Sequence, residues 1–206
     1  MACALSSRLG TGGVAYRHGQ DGYVDTVFLG AFRREALRRV GLFDPGAITN
    51  EDAEINQRIL ASGGTIYLNS AIQCYYYPRD NIRALALQYF KYGRGRARTF
   101  LKHKQIVRLG SFAPFVFVFG TLSLLALGTV MPAAFWTAVG LLAVYATAIL
   151  GEGLRLAFRH EWACAAVLPA IFAASHVAHA CGVGWGLLYY AYNADWKRRS
   201  PPRLQD

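Results

Sequence analysis

The fold of this chain is decided by a stretch that reads GAFRREALRRVGLFDP over residues 30–45 and TNEDAEINQR over residues 49–58. Its residue types predict the end of a strand, a short basic helix from Arg33 to Val40 that Gly41 ends, and a turn at Asp44-Pro45. A second helix is then predicted to begin at an acidic pair, Glu51-Asp52. The remainder of the chain is interpreted outward from these two helices.

The start of the second helix has a structural explanation of its own. Thr49 lies three residues before Asp52, in the spacing of a capped N-terminus. Acidic side chains also suit the positive end of the helix dipole. On this interpretation, Glu51 and Asp52 would only stabilise the helix.

The order of these features resembles the acceptor-side half of the family 2 glycosyltransferases, particularly the membrane-attached bacterial enzymes of succinoglycan type. The likeness covers about residues 5–105 and continues more loosely through the apolar part. In that family the second carboxylate of the Glu-Asp pair is the general base, which implies this role for Asp52. Glu51 would orient the loop. The resemblance further implies an inverting sugar transfer from a nucleotide-sugar donor to a lipid-linked or polysaccharide acceptor.

The first 80 residues are interpreted as part of a GT-A catalytic domain. In the family, a Ser-Ser-Arg-Leu-Gly-x-Gly-Gly stretch like that of residues 6–13 follows the nucleotide-binding half, so the chain is expected to be the C-terminal part of such an enzyme. The family holds a divalent cation, Mg²⁺ or Mn²⁺, with an Asp-x-Asp pair, and no Asp-x-Asp occurs in this chain. The cation ligands are therefore expected on a donor-binding half, in a longer chain or on a separate partner.

The predicted fold class is α/β, the distal half of a GT-A domain, followed by transmembrane helices. Segments rich in β-branched and aromatic residues predict strands over residues 23–32, 65–69 and 72–77. A helix is predicted between the first two strands, over about residues 51–62, with Ile55 and Ile59 on one face.

Residues 81–108 predict a basic amphipathic helix at a membrane surface. The chain has a net charge of +10 and is 54% hydrophobic, and a cluster of basic residues in this segment immediately precedes a long uncharged run. That arrangement favours a cytoplasmic membrane surface with anionic lipids over nucleic acid as the partner. A solvated basic helix is the alternative, because Gly93 and Gly95 should weaken it.

Five residues are candidates for binding the acceptor or the leaving diphosphate. Polysaccharide-forming members of the family often carry Gln-x-x-Arg-Trp in the region that here reads QYFKYGRGR over residues 88–96. Lysine and tyrosine replace the expected arginine and tryptophan, and a guanidinium for phosphate would come from nearby arginines instead. The candidates are Arg33, Arg34, Gln88, Arg94 and Arg96. For the first two, solvation on a short exposed helix is the alternative.

Residues 109–196 are expected to form a membrane region, followed by a basic tail over 197–206. Two spans are predicted, over about residues 111–131 and 134–154, because no charge occurs between Leu109 and Gly151. The uncharged run from Trp162 to Ala194 is either one tilted span or a re-entrant hairpin that bends near residues 182–184. The whole is expected to be a multi-pass protein of the bacterial inner membrane, with its catalytic part cytoplasmic.

Other residues have structural interpretations. The four cysteines show no Cys-x-x-Cys spacing and are expected to be reduced. His176 and His179 have metal-compatible spacing but no evident further ligands, so they are expected to join helices by hydrogen bonds. Gly182 and Gly186 are predicted to pack against another helix.

Two classes of function therefore stay open. One is a membrane glycosyltransferase that needs a donor-binding half. The other is a non-catalytic membrane docking or scaffold protein derived from such an enzyme, in which Asp52 would be only part of a helix start.

Overall fold

The computed structural model describes residues 1–5, 7–11, 21–47, 49–105, 109–160, 162 and 164–197. Gly12 and Gly13, which end the family-like stretch of residues 6–13, and residues 198–206 of the predicted tail lie outside these residues. The helices are α1 (Ala2–Leu5), α2 (Arg8–Thr11), α3 (Arg34–Val40), α4 (Glu51–Ala61), α5 (Ile82–His103), α6 (Ala113–Leu127), α7 (Pro132–Arg159) and α8 (Cys164–Tyr192), and the strands are β1 (Gly22–Tyr23) and β2 (Tyr67–Leu68).

Helices α3 and α4 with the two strands form a small polar part. Its core is made by Ile55 and Ile59 of α4 and by Ile66. Partly buried apolar residues between β1 and the end of α3, together with Leu60, pack around them. Helix α4 ends where expected: Gly63 has a φ of +78°, which favours glycine, and the Gly64 amide donates to the Ile59 carbonyl at 2.9 Å. The predicted helices at residues 33–40 and 51–62 are thus confirmed.

The sheet is much smaller than predicted, and the fold is mostly helical. β1 and β2 pair antiparallel, with Gly22 opposite Leu68 and Tyr23 opposite Tyr67. Residues 24–32 and 72–77 have no regular strand structure. A strand extends only where a neighbouring strand continues its backbone hydrogen bonds. The Val24 amide still donates to the Ile66 carbonyl at 3.0 Å, but the strand pairing among the described residues is limited to residues 22–23 with 67–68. The predicted strand over residues 72–77 is therefore wrong for this structure, that over 23–32 is confirmed only at Tyr23, and that over 65–69 is confirmed at Tyr67–Leu68.

Helix α5 lies along α8, and both run in the same direction. Phe90 of α5 faces Gly182 of α8, and a Cβ on Gly186 would lie 2.7 Å from the Cβ of Ala97. Gly93, expected to weaken α5, faces the backbone of α8 so closely that a side chain there would collide with the His179 carbonyl. The predicted packing role of Gly182 and Gly186 is confirmed, and Gly93 permits the same contact from the other side.

The apolar segments form three helices of unequal length. α7, with 28 residues, and α8, with 29, are long and apolar enough to cross a membrane, by length and composition only. α6 has 15 residues and extends about 22 Å, less than the roughly 30 Å of a bilayer core. The predicted span over residues 111–131 is thus a shorter helix that ends at Leu127. Helix α8 continues through residues 182–184, so the predicted hairpin bend is absent.

A second core joins the N-terminal turns to the apolar helices. Ala4 of α1 packs with Leu85 of α5, Ile149 of α7, and Leu168 and Phe172 of α8. Each of these five side chains is less than 10% exposed. The first residues of the chain are therefore held against α5, α7 and α8.

Candidate active site

The N-terminus of α4 carries Asp52 without the predicted side-chain cap. Asn50 occupies the N-cap position in a left-handed conformation, with φ 62°, and makes no capping hydrogen bond from its side chain. The Thr49 hydroxyl instead donates to the Lys91 carbonyl at 2.9 Å, and the Asn50 amide donates to the Tyr92 carbonyl at 3.0 Å. The prediction that Thr49 caps α4 is wrong because the side chains of Thr49 and Asn50 are hydrogen-bonded to carbonyls of α5 instead. These bonds seat the start of α4 against α5.

Asp52 faces a cavity of about 900 Å³ between the polar part and the apolar helices. Of the predicted site residues, Glu51, Asp52, Gln88 and Arg96 line this cavity. Its wall also contains one phenylalanine, three tyrosines and two further basic residues: Phe28, Tyr76, Tyr89, Tyr92, Arg79 and Lys91. A carboxylate, cations and aromatic rings therefore surround one space, the combination that a sugar phosphate needs for polar contacts and ring stacking.

The remaining predicted residues lie elsewhere. Arg33 and Arg34 are exposed at the start of α3 and do not line the cavity. Arg94 faces α8, where its side chain hydrogen-bonds to Tyr190. The structure thus brings together four of the seven predicted residues and leaves these three outside, the first two on a solvated helix end.

The pKa of the Asp52 carboxyl group is shifted by its surroundings. Burial raises the pKa of Asp52, and the charge of neighbouring Glu51 raises it further. A backbone hydrogen bond from Leu29 opposes both, but the net pKa lies above the usual value of 3.8. Because a stronger base holds a proton more readily, this shift suits a carboxylate that must accept one.

Gln88 is held in the cavity by two tyrosines. Its side-chain amide lies 3.0 Å from the hydroxyl of Tyr76 and 2.7 Å from that of Tyr92. The ring of Tyr76 in turn packs edge-to-face on Phe28, 6.3 Å between centroids. This polar and aromatic cluster connects α5 to the segment that follows β2, and it fixes one wall of the cavity.

Glu54, two residues after Asp52, belongs to a buried ion network that the sequence analysis missed. Its carboxylate accepts from Arg58 at 2.7 Å and from Lys102 at 2.6 Å, and His103 Nε2 lies 2.8 Å away. Burial by itself would raise the pKa of Glu54, but these hydrogen bonds outweigh it and lower the pKa to about 2. Arg58 also donates to the Val40 carbonyl at 2.6 Å, which ties α4 to the end of α3.

Asp44, in the turn before α4, is the second carboxylate of the network. It accepts from Arg98 at 2.8 Å and from Lys102 at 2.8 Å, and Arg98 also bonds Asp195 at 3.0 Å. Burial would raise the pKa of Asp44, but the bonds from Lys102 and Arg98 hold it well below its usual range. The Arg98 guanidinium lies 5.7 Å from the centroid of Trp196. The network therefore fixes α4, α5 and the end of α8 to one another.

Two sequence signals pointed to this network. Glu54 and Arg58 are four residues apart on one helix, a spacing that favours an ion pair. Arg98 and Lys102 have the same spacing on α5, which places two cations on one face of that helix. The pairing between the two helices could not be read from either pattern, since it depends on how they pack.

The histidine pair joins helices, as expected. His176 lies 3.0 Å from the Tyr145 hydroxyl through Nδ1 and 3.1 Å from the Leu9 carbonyl through Nε2. His179 Nε2 lies 2.9 Å from the Ser111 carbonyl. Both ring systems are therefore engaged by protein groups.

The described residues do not fit a divalent cation. Among them, no three histidine, cysteine, aspartate or glutamate side chains converge at a position that could hold a metal ion. The carboxylates of Glu51 and Asp52 are the acidic groups that line the large cavity.

Comparison with known proteins identifies the family. The model for glycosyl transferase family group 2 matches residues 29–175. The chain is also 33% identical over 201 residues to the succinoglycan biosynthesis protein ExoA of Rhizobium meliloti (strain 1021), an alignment that covers 96% of this chain and 57% of that protein. This chain thus spans less than two thirds of the length of that relative. No solved structure matches it significantly. Because the family match includes α3 to α7 and part of α8, the chain belongs to glycosyl transferase family group 2.

Proposed function

We propose that this chain supplies the acceptor side of a membrane-bound glycosyltransferase, with Asp52 as the general base. The reaction would transfer a sugar from a nucleotide-sugar donor to a lipid-linked or polysaccharide acceptor, with inversion at the anomeric carbon. The observation that carries the proposal is the position of Asp52: it faces a cavity of about 900 Å³, and its pKa is raised.

In the proposed mechanism, Asp52 accepts the proton of the acceptor hydroxyl as the oxygen attacks the anomeric carbon. The new carbon–oxygen bond forms on one face of the sugar while the bond to the diphosphate breaks on the other, and the nucleoside diphosphate leaves with the electron pair. A single base is sufficient for this displacement. Asp52 remains protonated until the product departs and then returns its proton to water.

Other cavity residues would bind and orient the reactants. Arg96 is proposed to bind phosphate oxygens through its guanidinium. Gln88, fixed by Tyr76 and Tyr92, would hydrogen-bond sugar hydroxyls with the capacity that remains on its amide. Glu51 would orient the start of α4 and, by its charge, keep the pKa of Asp52 raised.

The donor nucleotide needs further residues. The resemblance implies a donor-binding half with a divalent cation, in a longer form of the chain or on a separate partner. Because the described residues do not fit such a cation, no step of this proposal passes through it.

Membrane attachment is also proposed, with the polar part on the cytoplasmic side of a bacterial inner membrane. It is supported by two helices of sufficient length and apolar composition. Basic residues at Arg155, Arg159 and Lys197 flank α8, and such residues favour the cytoplasmic side.

The test is to introduce Asp52→Asn at the native locus and measure transfer in isolated membranes. The probes are radiolabelled UDP-glucose, UDP-galactose and UDP-N-acetylglucosamine, supplied one at a time, with incorporation into lipid and glycan fractions as the readout. Loss of the base should lower the initial rate by about 10²- to 10⁴-fold. Glu35→Gln, an exposed acidic residue in the first turn of α3, is the matched control and should retain the parental rate.

Immunoblotting of the same membranes normalises each rate to the amount of chain. If Asp52→Asn membranes transferred sugar as fast as those with Glu35→Gln, Asp52 would not be the base.

A further inference from the structure

We propose that α8 does not cross the membrane: it lies in the cytoplasmic interface, with both of its ends on the side of the polar part and one apolar face in the lipid. The inference rests on the proposed membrane attachment. On this proposal, the segment from Trp162 to Ala194, expected from the sequence to be a span or a re-entrant hairpin, lies along the membrane surface instead.

The beginning of α8 is held by N-terminal residues that share the cavity with Asp52. The Sγ atoms of Cys3 and Cys164 lie 3.9 Å apart, and Ala4 packs with Leu168. Leu5, Leu9 and Gly10 line the same cavity as Asp52. This end of α8 therefore lies on the same side as the proposed catalytic residue.

The other end of α8 is held by the ion network of the polar part. Asp195, three residues beyond the helix, bonds Arg98 at 3.0 Å, and Arg98 bonds Asp44 at 2.8 Å. Asp44 is 6% exposed and lies in the turn before α4. Since α1, beside the cavity that Asp52 lines, holds one end of the helix and the polar part holds the other end through Arg98, the two ends cannot lie on opposite sides of a bilayer unless the polar part crosses it too.

Between its ends, α8 lies along α5, which is too charged to cross a bilayer. The glycine contacts bring the backbones of the two helices together from Phe90 to Ala97 of α5. That helix carries Lys91, Arg94, Arg96, Arg98 and Lys102, and charged side chains are strongly disfavoured at the bilayer centre. The start of α4 also bonds the Lys91 and Tyr92 carbonyls, which keeps α5 on the polar part. α8 must share the orientation of α5.

The face of α8 that turns away from these contacts is uncharged and exposed. It comprises Ala166, Ala170, Val177, Cys181, Trp185, Leu188 and Tyr192. Trp185, Leu188 and Tyr192 are 54%, 67% and 88% exposed. Aromatic rings of this kind favour the interface between lipid and water.

Charge complementarity identifies anionic lipid as the occupant of this surface. Arg155, whose guanidinium also pairs with Glu152 at 2.6 Å, and Arg159 precede the helix, Lys197 follows it, and the chain as a whole carries a net charge of +10. Basic residues at both ends contradict a single crossing, which would leave one group on the outer side. With both groups in the cytoplasmic interface, each can meet anionic headgroups.

The test measures the sidedness of two engineered cysteines in the membrane-bound chain. His160→Cys lies before α8 and Asn193→Cys lies after it, both at exposed positions. Inverted and right-side-out membrane vesicles are treated with a membrane-impermeant maleimide, and labelled peptides are identified by mass spectrometry. Cys74, a native exposed cysteine of the polar part, marks the side on which that part lies.

We expect both engineered cysteines to react in the same vesicle preparation as Cys74 and neither to react in the other. Reaction of the two from opposite sides would overturn the proposal. A second measurement needs no substitution: native Cys181, on the apolar face, should stay unlabelled in both preparations and react after detergent is added. Labelling of Cys181 in intact vesicles would contradict contact of this face with lipid. Neither readout depends on sugar transfer, so failure here is distinct from failure of the proposed catalytic role.

Discussion

The carboxylates of Asp52 and Glu54 lie only two residues apart on helix α4, but their pKa values are shifted in opposite directions. Glu54 is 1% exposed and accepts hydrogen bonds from basic side chains, which lower its pKa to about 2. Asp52 faces the cavity beside another acid, and its pKa is raised. The paired carboxylate holds helices together, whereas the one beside the cavity remains able to accept a proton. Burial acts on both, and the difference lies in the partners that each has.

The largest effect on stability is expected when the network loses an arginine. Arg98→Met removes an ion-pair partner of both Asp44 and Asp195 from a site where Arg98 is 3% exposed, and leaves Asp44 with Lys102. Breaking a buried pair in this way should lower the free energy of unfolding by about 3 kcal/mol. The measurement is thermal and urea unfolding of the purified chain in detergent. Arg83→Met, at an exposed position of α5, is the control and should change stability little; equal losses in the two variants would contradict a structural role for the network.

Acid should destabilise the protein through the same network. The folded pKa of Glu54 is depressed from 4.5 to about 2, so the stability that it contributes is present above about pH 4.5 and is lost as pH falls toward 2. A shift of this size corresponds to about 3 kcal/mol. Glu54→Gln should lower stability at neutral pH and flatten its dependence on pH in this window. An unchanged pH dependence in that variant would show that Glu54 is not the group being titrated.

A smaller loss of stability is expected when the packing of α5 against α8 is disturbed. Gly182→Ala places a methyl group against the Phe90 backbone and must separate α5 from α8, which should cost about 1–3 kcal/mol. Gly140→Ala on α7 has open space around it and is the matched control. Melting temperatures in detergent compare the two. If Gly182→Ala were as stable as Gly140→Ala, the close contact between α5 and α8 would be wrong.

The smallest effect concerns Asp52 itself. Glu51→Gln removes a charge that raises the pKa of Asp52, so the acidic limb of the pH dependence of transfer should move to lower pH. Initial rates over a pH series in native membranes give the shift. Movement to higher pH, or none, would contradict Asp52 as the base that sets this limb.

The helices of the polar part and α5 show what the sequence can predict. The helices at residues 34–40, 51–61 and 82–103 follow from local signals such as Gly41, the Gly63-Gly64 stop and Asn81, whose side chain accepts from the Ala84 amide at 2.8 Å. The grouping of Asp52 with Gln88 and Arg96 agrees with the family resemblance. In these regions, short-range chemistry and motif order carry the information.

What could not be predicted depends on distant partners. The bonds from Lys102 to Asp44 and Glu54 join residues 58 and 48 positions apart, so neither helix alone reveals them. Thr49 resembled a cap but bonds Lys91 of another helix. Residues 72–77 have strand-forming composition, but no regular strand forms there, because composition does not supply a neighbouring strand.

The role of Asp52 as the base is best tested by the transfer rate per folded molecule of Asp52→Asn, measured beside that of Glu54→Gln. Both variants replace a carboxylate of α4 by an amide, and folded protein is quantified in the same membranes by resistance to limited proteolysis. We expect Asp52→Asn to lose about 10²- to 10⁴-fold in rate while it keeps its folded fraction. We expect Glu54→Gln to lose folded fraction while its remaining folded molecules keep most of their rate. Equal rates per folded molecule in Asp52→Asn and the parent would contradict this role of Asp52.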